Sequence, residues 1–156
     1  MKEKKYINDD VSCQEYILKR DDVLMARTGA TYGKSMIFDG GSNAVYASFL
    51  IRIRFNDLTL ITPKYYWHFA QSSLYWKQAN KLVGGGAQPQ FNANVLGKII
   101  VPVPPIKEQL RIVSILDRFE ALTTDLQSGL PAEIAARRQQ YEYYREKLLT
   151  FKRKAA

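Results

Sequence analysis

A chain of 156 residues, 46% of them apolar, is long enough for one domain with an appendage and too apolar for a disordered segment. One cysteine and one histidine exclude an internal disulfide framework and most cysteine- or histidine-based metal sites. No apolar run reaches the length of a membrane span, and the N-terminus has no signal-peptide core, so we expect a cytoplasmic protein.

The charge is unevenly distributed. The net charge is +8, and residues 23–104 contain eight basic residues but only two acidic ones, Asp39 and Asp57. The same segment is rich in aromatic and amide side chains, a mixture typical of nucleic-acid surfaces. A solvated basic face without a ligand explains the charge equally well.

Residues 1–104 predict a mixed α/β domain. Ser12 and Glu15 have capping-box spacing, which favours a short helix. Strands are expected in "DVLMAR", in "KSMIFD" and in "AVYASFLIRIRF", at whose end apolar and basic residues alternate. Thr62 and Pro63 have the types preferred at a helix start, whereas "GGGAQPQFNAN" predicts a loop and "GKIIVPVP" a last strand.

The stretch "RTGATYGKS" is similar to a Walker phosphate loop, but only three residues separate Gly29 from Gly33, where the motif needs four. A second strand is expected after the loop in place of the required helix, so we interpret it as a β-hairpin turn. Such a turn is either solvated or pressed against DNA, with basic side chains on phosphates and amides on base edges. The candidate DNA contacts are Arg27, Thr28, Thr31, Tyr32, Lys34, Lys81, Gln88, Gln90 and Asn92.

Residues 105–156 have a helical pattern with apolar residues at steps of three, four and seven. This narrow, coiled-coil-like seam requires a partner, which is the other helix, a second chain or another subunit. A hairpin packed on its own domain is the alternative. The candidate docking residues are Leu116, Phe119, Tyr141, Leu148 and Phe151.

No catalytic or metal-binding constellation is predicted. Cys13 and His68 are far apart in sequence, and a buried structural thiol and a core histidine are the favoured interpretations over a nucleophilic pair.

The order of "DDVLMARTGATYGKS", the aromatic helix and "GGGAQPQFNANVLGKIIVPVPPIKEQLRIVSILD" resembles the specificity subunits of type I restriction–modification systems. The tail "AEIAARRQQYEYYREKLLTF" is similar to the family as well. The resemblance implies an α+β fold, with a DNA target recognition domain at 1–104 and a helical spacer at 105–156 that docks methyltransferase (modification) subunits.

The resemblance also implies that the chain reads one half of a bipartite site in duplex DNA. It further implies that the chain itself carries no active site. S-adenosylmethionine, ATP and magnesium would belong to the modification and restriction subunits. Full-length members have two recognition domains, so this chain corresponds to the later part of one domain and one spacer, and a second copy is a further candidate partner. A structural assembly protein without DNA affinity is the alternative function.

Overall fold

The computed structural model describes residues 11–83, 91–125 and 131–151. A 3₁₀ helix at Val11–Tyr16 is followed by a small sheet, two helices that pack on it, and two long helices. The strands are β1 (Val23–Ala26), β2 (Ser35–Ile37) and β3 (Leu50–Ile53), and the α-helices are α1 (Pro63–Phe69), α2 (Ser73–Val83), α3 (Ala93–Leu96), α4 (Ile106–Asp125) and α5 (Pro131–Leu149). The predicted mixture of strands and helices is confirmed, and the helix expected near Ser12 is a 3₁₀ helix that begins one residue earlier.

The sheet is antiparallel throughout, with β1 between β2 and β3. Val23 of β1 pairs with Ile37 of β2, which confirms that the glycine-containing loop joins two strands of a hairpin. Strand β1 is covered on both faces. Val23 and Met25 face the main core, whereas Leu24 packs in a smaller cluster on the other side.

Strand β3 has the predicted alternation, since Ile51 and Ile53 pack against the main core. The basic residues on its other face have partners within the chain. Arg52 donates to the Glu15 carbonyl (2.8 Å), and Arg54 donates both to Oδ1 and to Oδ2 of the buried Asp22 (2.7 and 2.6 Å). Burial opposes ionisation of Asp22, but the hydrogen bonds from Arg54 and from the Lys19 amide hold its pKa below the ordinary value.

Helix α1 begins as the sequence predicts. The Thr62 hydroxyl accepts a hydrogen bond from the Tyr65 amide (3.3 Å), and Pro63 occupies the first turn, where its missing N–H leaves no bond unmade. Tyr66, Phe69 and Ala70 are buried in the main core.

The last predicted strand is wrong. Residues 98–103 follow α3 outside the sheet, and the prolines at 102 and 104 remove amide donors that a strand ladder needs. Side chains take the place of a neighbouring strand. Gln78 of α2 donates to the Ile100 carbonyl and accepts from its amide, both at 2.9 Å, and the Tyr65 hydroxyl donates to the Pro102 carbonyl (2.7 Å).

The two long helices form an antiparallel hairpin, since Phe119 stacks on Tyr144 (ring centroids 5.3 Å apart) while Ile112 shares a cluster with Leu149. The cluster also includes Tyr65 of α1, so the hairpin packs on its own domain, which was the alternative expectation. Within residues 11–83, 91–125 and 131–151, no helix is both long and apolar enough to cross a membrane.

The predicted seam on α4, which includes Leu110, Val113 and Leu116, is only partly the buried face. Val113 and Leu116 are buried, but Leu110 is 54% exposed, and Ile112, which the seam did not include, is fully buried. The buried Gln109 explains the change. Its side-chain oxygen accepts from the Thr62 amide, and its amide nitrogen donates to the carbonyls of Leu60 and Pro104. These bonds fix the rotation of α4 relative to α1.

Candidate nucleic-acid interface

The glycine loop, which we define as residues 27–34, connects β1 to β2. It contains a 3₁₀ turn at Gly29–Thr31, and its two glycines have φ angles of +76° and +70°. Both angles lie in the left-handed region, which other residues seldom adopt. The Gly33 amide donates to the Ala26 carbonyl (2.8 Å), and the Ala26 amide donates to the Lys34 carbonyl (2.9 Å), so the loop is closed by backbone bonds.

One side of the loop packs against α2. A Cβ atom on Gly33 would lie 3.1 Å from Cη2 of Trp76, so glycine permits this close approach. The Tyr75 hydroxyl lies 3.2 Å from the Gly33 carbonyl oxygen, and the Tyr32 ring meets Trp76 edge-on at 5.9 Å. The Tyr32 hydroxyl donates to Oδ1 of Asn80 (2.8 Å). The main role of Tyr32 is therefore to hold the glycine loop against α2.

A second contact brings the end of the other glycine-rich segment to the same place. The Phe91 amide donates to the Arg27 carbonyl (2.8 Å), and the Phe91 ring is buried in the main core. The glycine loop, the exposed face of α2 and the start of α3 therefore lie side by side. The glycine loop is distant in sequence from α2 and α3, which follow each other closely, and the fold brings all three together.

Several polar side chains of this region face solvent. Arg27, Thr28, Thr31, Lys34 and Lys81 are exposed, and Arg27 uses one guanidinium nitrogen to donate to the Ser48 carbonyl (2.9 Å). A guanidinium group has four further N–H donors for a ligand. Sequence reasoning missed Lys77, which is exposed on the same face of α2 as Lys81, and the four-residue spacing was the signal for it. We call the set Arg27, Thr28, Thr31, Lys34, Lys77 and Lys81 the basic surface.

Asn92 has a structural role that the sequence analysis did not assign. Its side-chain oxygen accepts from the Val95 amide (3.0 Å) and caps α3, so a two-bond pairing of Asn92 with adenine would require loss of the cap. Only its amide nitrogen is left as a donor. Gln88 and Gln90 lie outside the described residues.

Three aspartates lie away from the glycine loop, although the Glu146 carboxylate accepts from Ser73, one turn before Lys77 on α2. Asp21, Asp22 and Asp39 lie at the opposite end of the β1–β2 hairpin, roughly 13 Å along a four-residue strand. Asp22 is also neutralised by Arg54. The hairpin is thus polarised, with its basic end toward the glycine loop.

The structure places most of the predicted docking residues inside the helical hairpin. Leu116 is fully buried with Tyr65, so it cannot contact another chain directly. Tyr141 and Leu148 pack against the same cluster, and Phe119 stacks on Tyr144. Phe151 is 39% exposed and is the member of the set with the most accessible surface.

His68 is a buried core residue, as expected, and its partner is Asp117 of α4. Its Nε2 atom donates to the Asp117 carboxylate (2.9 Å), while Lys64 lies 2.8 Å from the other carboxylate oxygen. Within the described residues, Nδ1 of His68 is buried without a hydrogen-bond partner. Burial lowers the pKa of His68, although the bond to Asp117 opposes this.

His68, Asp117 and Glu120 have ligand-type atoms that all lie within 4.8 Å of one another. Lys64 already supplies positive charge at this cluster, so we interpret it as an ion-pair network between α1 and α4. Burial raises the pKa of Glu120 above the ordinary value of a carboxyl group.

The comparisons with known proteins assign the class. The family model described as the type I restriction modification DNA specificity domain matches residues 3–136. The chain therefore belongs to the family of type I restriction–modification DNA specificity domains.

The relatives agree with this assignment. A Haemophilus influenzae protein, assigned as a type I restriction enzyme specificity subunit, is 44% identical over 133 residues, which are 85% of this chain and 33% of that protein. The specificity subunit of the Escherichia coli type I enzyme EcoR124I/EcoR124II is 42% identical over 93 residues, 58% of this chain and 22% of the relative. The chain thus spans a third or less of the length of these two relatives.

Proposed function

We propose that this chain binds duplex DNA through the basic surface and reads one half of a bipartite site. DNA sequence recognition is the function of the family to which it belongs. The observation that carries the proposal for this chain is the convergence of the glycine loop, α2 and the start of α3, joined by the Phe91–Arg27 and Tyr32–Asn80 hydrogen bonds.

The side chains divide by chemistry. Lys34, Lys77 and Lys81 act on phosphates, because an ammonium group is a point charge without bidentate geometry. Thr28 and Thr31 donate to phosphate oxygens. Arg27 keeps a fork of donors that suits either a phosphate or a guanine edge, and Gln88 and Gln90 are proposed as readers of base edges.

Titration of the chain with a randomised duplex pool at two or more salt concentrations tests the proposal. Lys34→Ala and Lys77→Ala should weaken binding to all duplexes alike and lower the salt slope by about one each. Lys19→Ala is the matched control, because Lys19 is an exposed lysine at the acidic end of the hairpin. Equal behaviour of the three variants would contradict the assigned surface.

The base-reading role requires a separate measurement. A duplex enriched from the pool by the wild-type chain serves as the selected site. Gln88→Ala or Gln90→Ala should cost roughly 1–3 kcal/mol on that duplex and little on random DNA. Equal losses on both duplexes would show that the glutamines only shape the loop around Pro89.

We further propose that residues 105–156 are the spacer that docks modification subunits, and that a restriction subunit joins the full complex. The exposed apolar side chains of Leu110, Tyr143 and Phe151 support a docking role for these helices, whereas the fully buried Leu116 does not. In this proposal the chain performs no chemistry itself. Methyl transfer by the pure chain with added S-adenosylmethionine would contradict it.

The alternative function is structural assembly without DNA affinity, in which the chain pairs with a second copy of itself. The exposed Tyr143 of α5 and the exposed Phe151 that follows this helix favour it. Sedimentation of the chain with and without duplex DNA separates the two functions. If the chain associates with itself and binds no duplex DNA at any salt concentration, the assembly function is favoured over DNA recognition.

A further inference from the structure

We propose that the hydrogen bond between Tyr32 and Asn80 is a positioning device for sequence discrimination: it holds the glycine loop so that its exposed half meets DNA in one arrangement. This inference rests on the proposed function. It concerns two residues that touch each other and are placed beside the basic surface, and it assigns them an effect on selectivity that is separate from total affinity.

The two halves of the glycine loop have different surroundings. Residues 28–31 are exposed, and a Cβ atom on Gly29 would meet nothing within 4 Å. Tyr32 is half-buried and Gly33 is buried, held by Trp76 and Tyr75 of α2. The boundary between free and packed backbone therefore falls at Tyr32.

At this boundary the ring and the hydroxyl of Tyr32 act differently. The ring contact with Trp76 constrains how far the loop stands from α2, but edge-on aromatic contacts tolerate sliding. The hydroxyl bond to Oδ1 of Asn80 is directional and fixes the position along α2. Lys77 lies three residues before Asn80 on α2, on the same side of the helix, so this bond sets the loop relative to the Lys77 ammonium group.

Base edges and phosphates make different demands on position. A hydrogen bond to a base edge depends on angle and distance, whereas a lysine attracts a phosphate over a range of geometries. Loss of the bond should therefore weaken binding to a preferred duplex more than to random DNA. The number of phosphates neutralised, and hence the salt slope, should be unchanged.

Tyr32→Phe is the decisive variant, because it removes the hydroxyl and keeps the ring against Trp76. We define the affinity ratio as the affinity for the duplex enriched by the wild-type chain divided by the affinity for a random duplex. We expect this ratio to fall by about three- to tenfold, because that is the effect of losing one neutral hydrogen bond. Asn80→Ala should give a similar fall. The double variant should be no worse than either single variant, because both remove the same bond.

Tyr65→Phe is the matched control. It also deletes one tyrosine hydroxyl bond, here to the Pro102 carbonyl, outside the glycine loop and α2. It should lower the melting temperature without changing the affinity ratio. Hydrogen exchange gives a readout that needs no DNA: the amides of Gly33 and Lys34 should exchange faster in Tyr32→Phe and at the wild-type rate in Tyr65→Phe.

The outcomes are distinct. If the wild-type chain binds no duplex, the proposed function and this inference both fail. If it binds and Tyr32→Phe leaves the affinity ratio unchanged, only the inference fails. If Tyr32→Phe lowers the ratio while Asn80→Ala does not, the hydroxyl acts on DNA directly, and the positioning role is overturned.

Discussion

Gln78 of α2 pairs with both backbone groups of Ile100, donating to its carbonyl and accepting from its amide at 2.9 Å each. The amide side chain of Gln78 thus satisfies both backbone hydrogen-bonding groups of Ile100, as a neighbouring strand would in a sheet. The paired segment leads directly into α4, so the bond helps to fix where the long helices leave the domain.

We expect Gln78→Ala to lower the free energy of unfolding by about 1 kcal/mol, because water replaces part of the lost bonding at this exposed site. Gln78→Glu keeps an acceptor for the Ile100 amide but places a carboxylate beside its carbonyl, so it should not restore stability. Urea unfolding measures both variants. A wild-type midpoint for Gln78→Ala would show that the pair contributes nothing.

The two glycines of the loop should differ in their tolerance of alanine. Both have positive φ, so Gly29→Ala should cost about 1 kcal/mol in backbone strain. Gly33→Ala should cost about 2–3 kcal/mol, because the new Cβ also lies 3.1 Å from Trp76. Thermal unfolding compares them, and Trp76→Ala in the Gly33→Ala background should recover part of the difference. Equal losses would mean that packing at Gly33 adds nothing.

His68 should make stability depend on pH. Its folded pKa is lower than the ordinary value of 6.5, first because of burial. The unfolded chain therefore binds more protons below pH 6.5, so this contribution is complete above pH 6.5 and is lost as the pH falls through the folded value. The slope is at most about 1.4 kcal/mol per pH unit.

The comparison of wild type with His68→Gln from pH 7.5 downward isolates this effect. Asp117, Glu120, Lys64, Arg145 and Tyr141 surround or influence the network, and Glu120, whose pKa is raised, contributes with the opposite sign. These groups remain in both proteins, so the difference between the two slopes reports on His68. Parallel curves would contradict the assignment.

The helical hairpin should stabilise the whole chain. Leu116→Ala removes a fully buried side chain that packs with Tyr65 of α1, so we expect a loss of about 3 kcal/mol. Phe151, another residue of the predicted docking set, is exposed, so Phe151→Ala should lower the free energy of unfolding by less than about 1 kcal/mol. A single unfolding transition for Leu116→Ala is expected. Two transitions would show that the helices and the α/β part unfold independently.

Local patterns identified much of this fold. The glycine hairpin, the Thr62 cap and the start of α4 each depend on residues close in sequence, and each was correctly predicted. The extended segment at 98–103 was not, because its partner is a side chain about 20 residues earlier. The burial of Ile112 and the exposure of Leu110 on α4 also escaped prediction, since Gln109 orients the helix through bonds to residues 60 and 62.

The candidate site was predictable to a similar extent. Composition pointed to the glycine loop, but nothing in the local sequence indicates that Tyr32 bonds Asn80 or that Phe91 bonds Arg27. The cap at Asn92 did have a local signal, since asparagine is a preferred residue type just before a helix.

The unequal packing of the glycine loop has a consequence for how this protein can diverge. Thr28, Ala30 and Thr31 are exposed and touch little of the core, so their side chains can be exchanged with little effect on folding. Tyr32 and Gly33 are fixed by α2 and do not share that freedom. New variants of the tip can therefore arise on an unchanged scaffold, one residue at a time, without a compensating change in the interior.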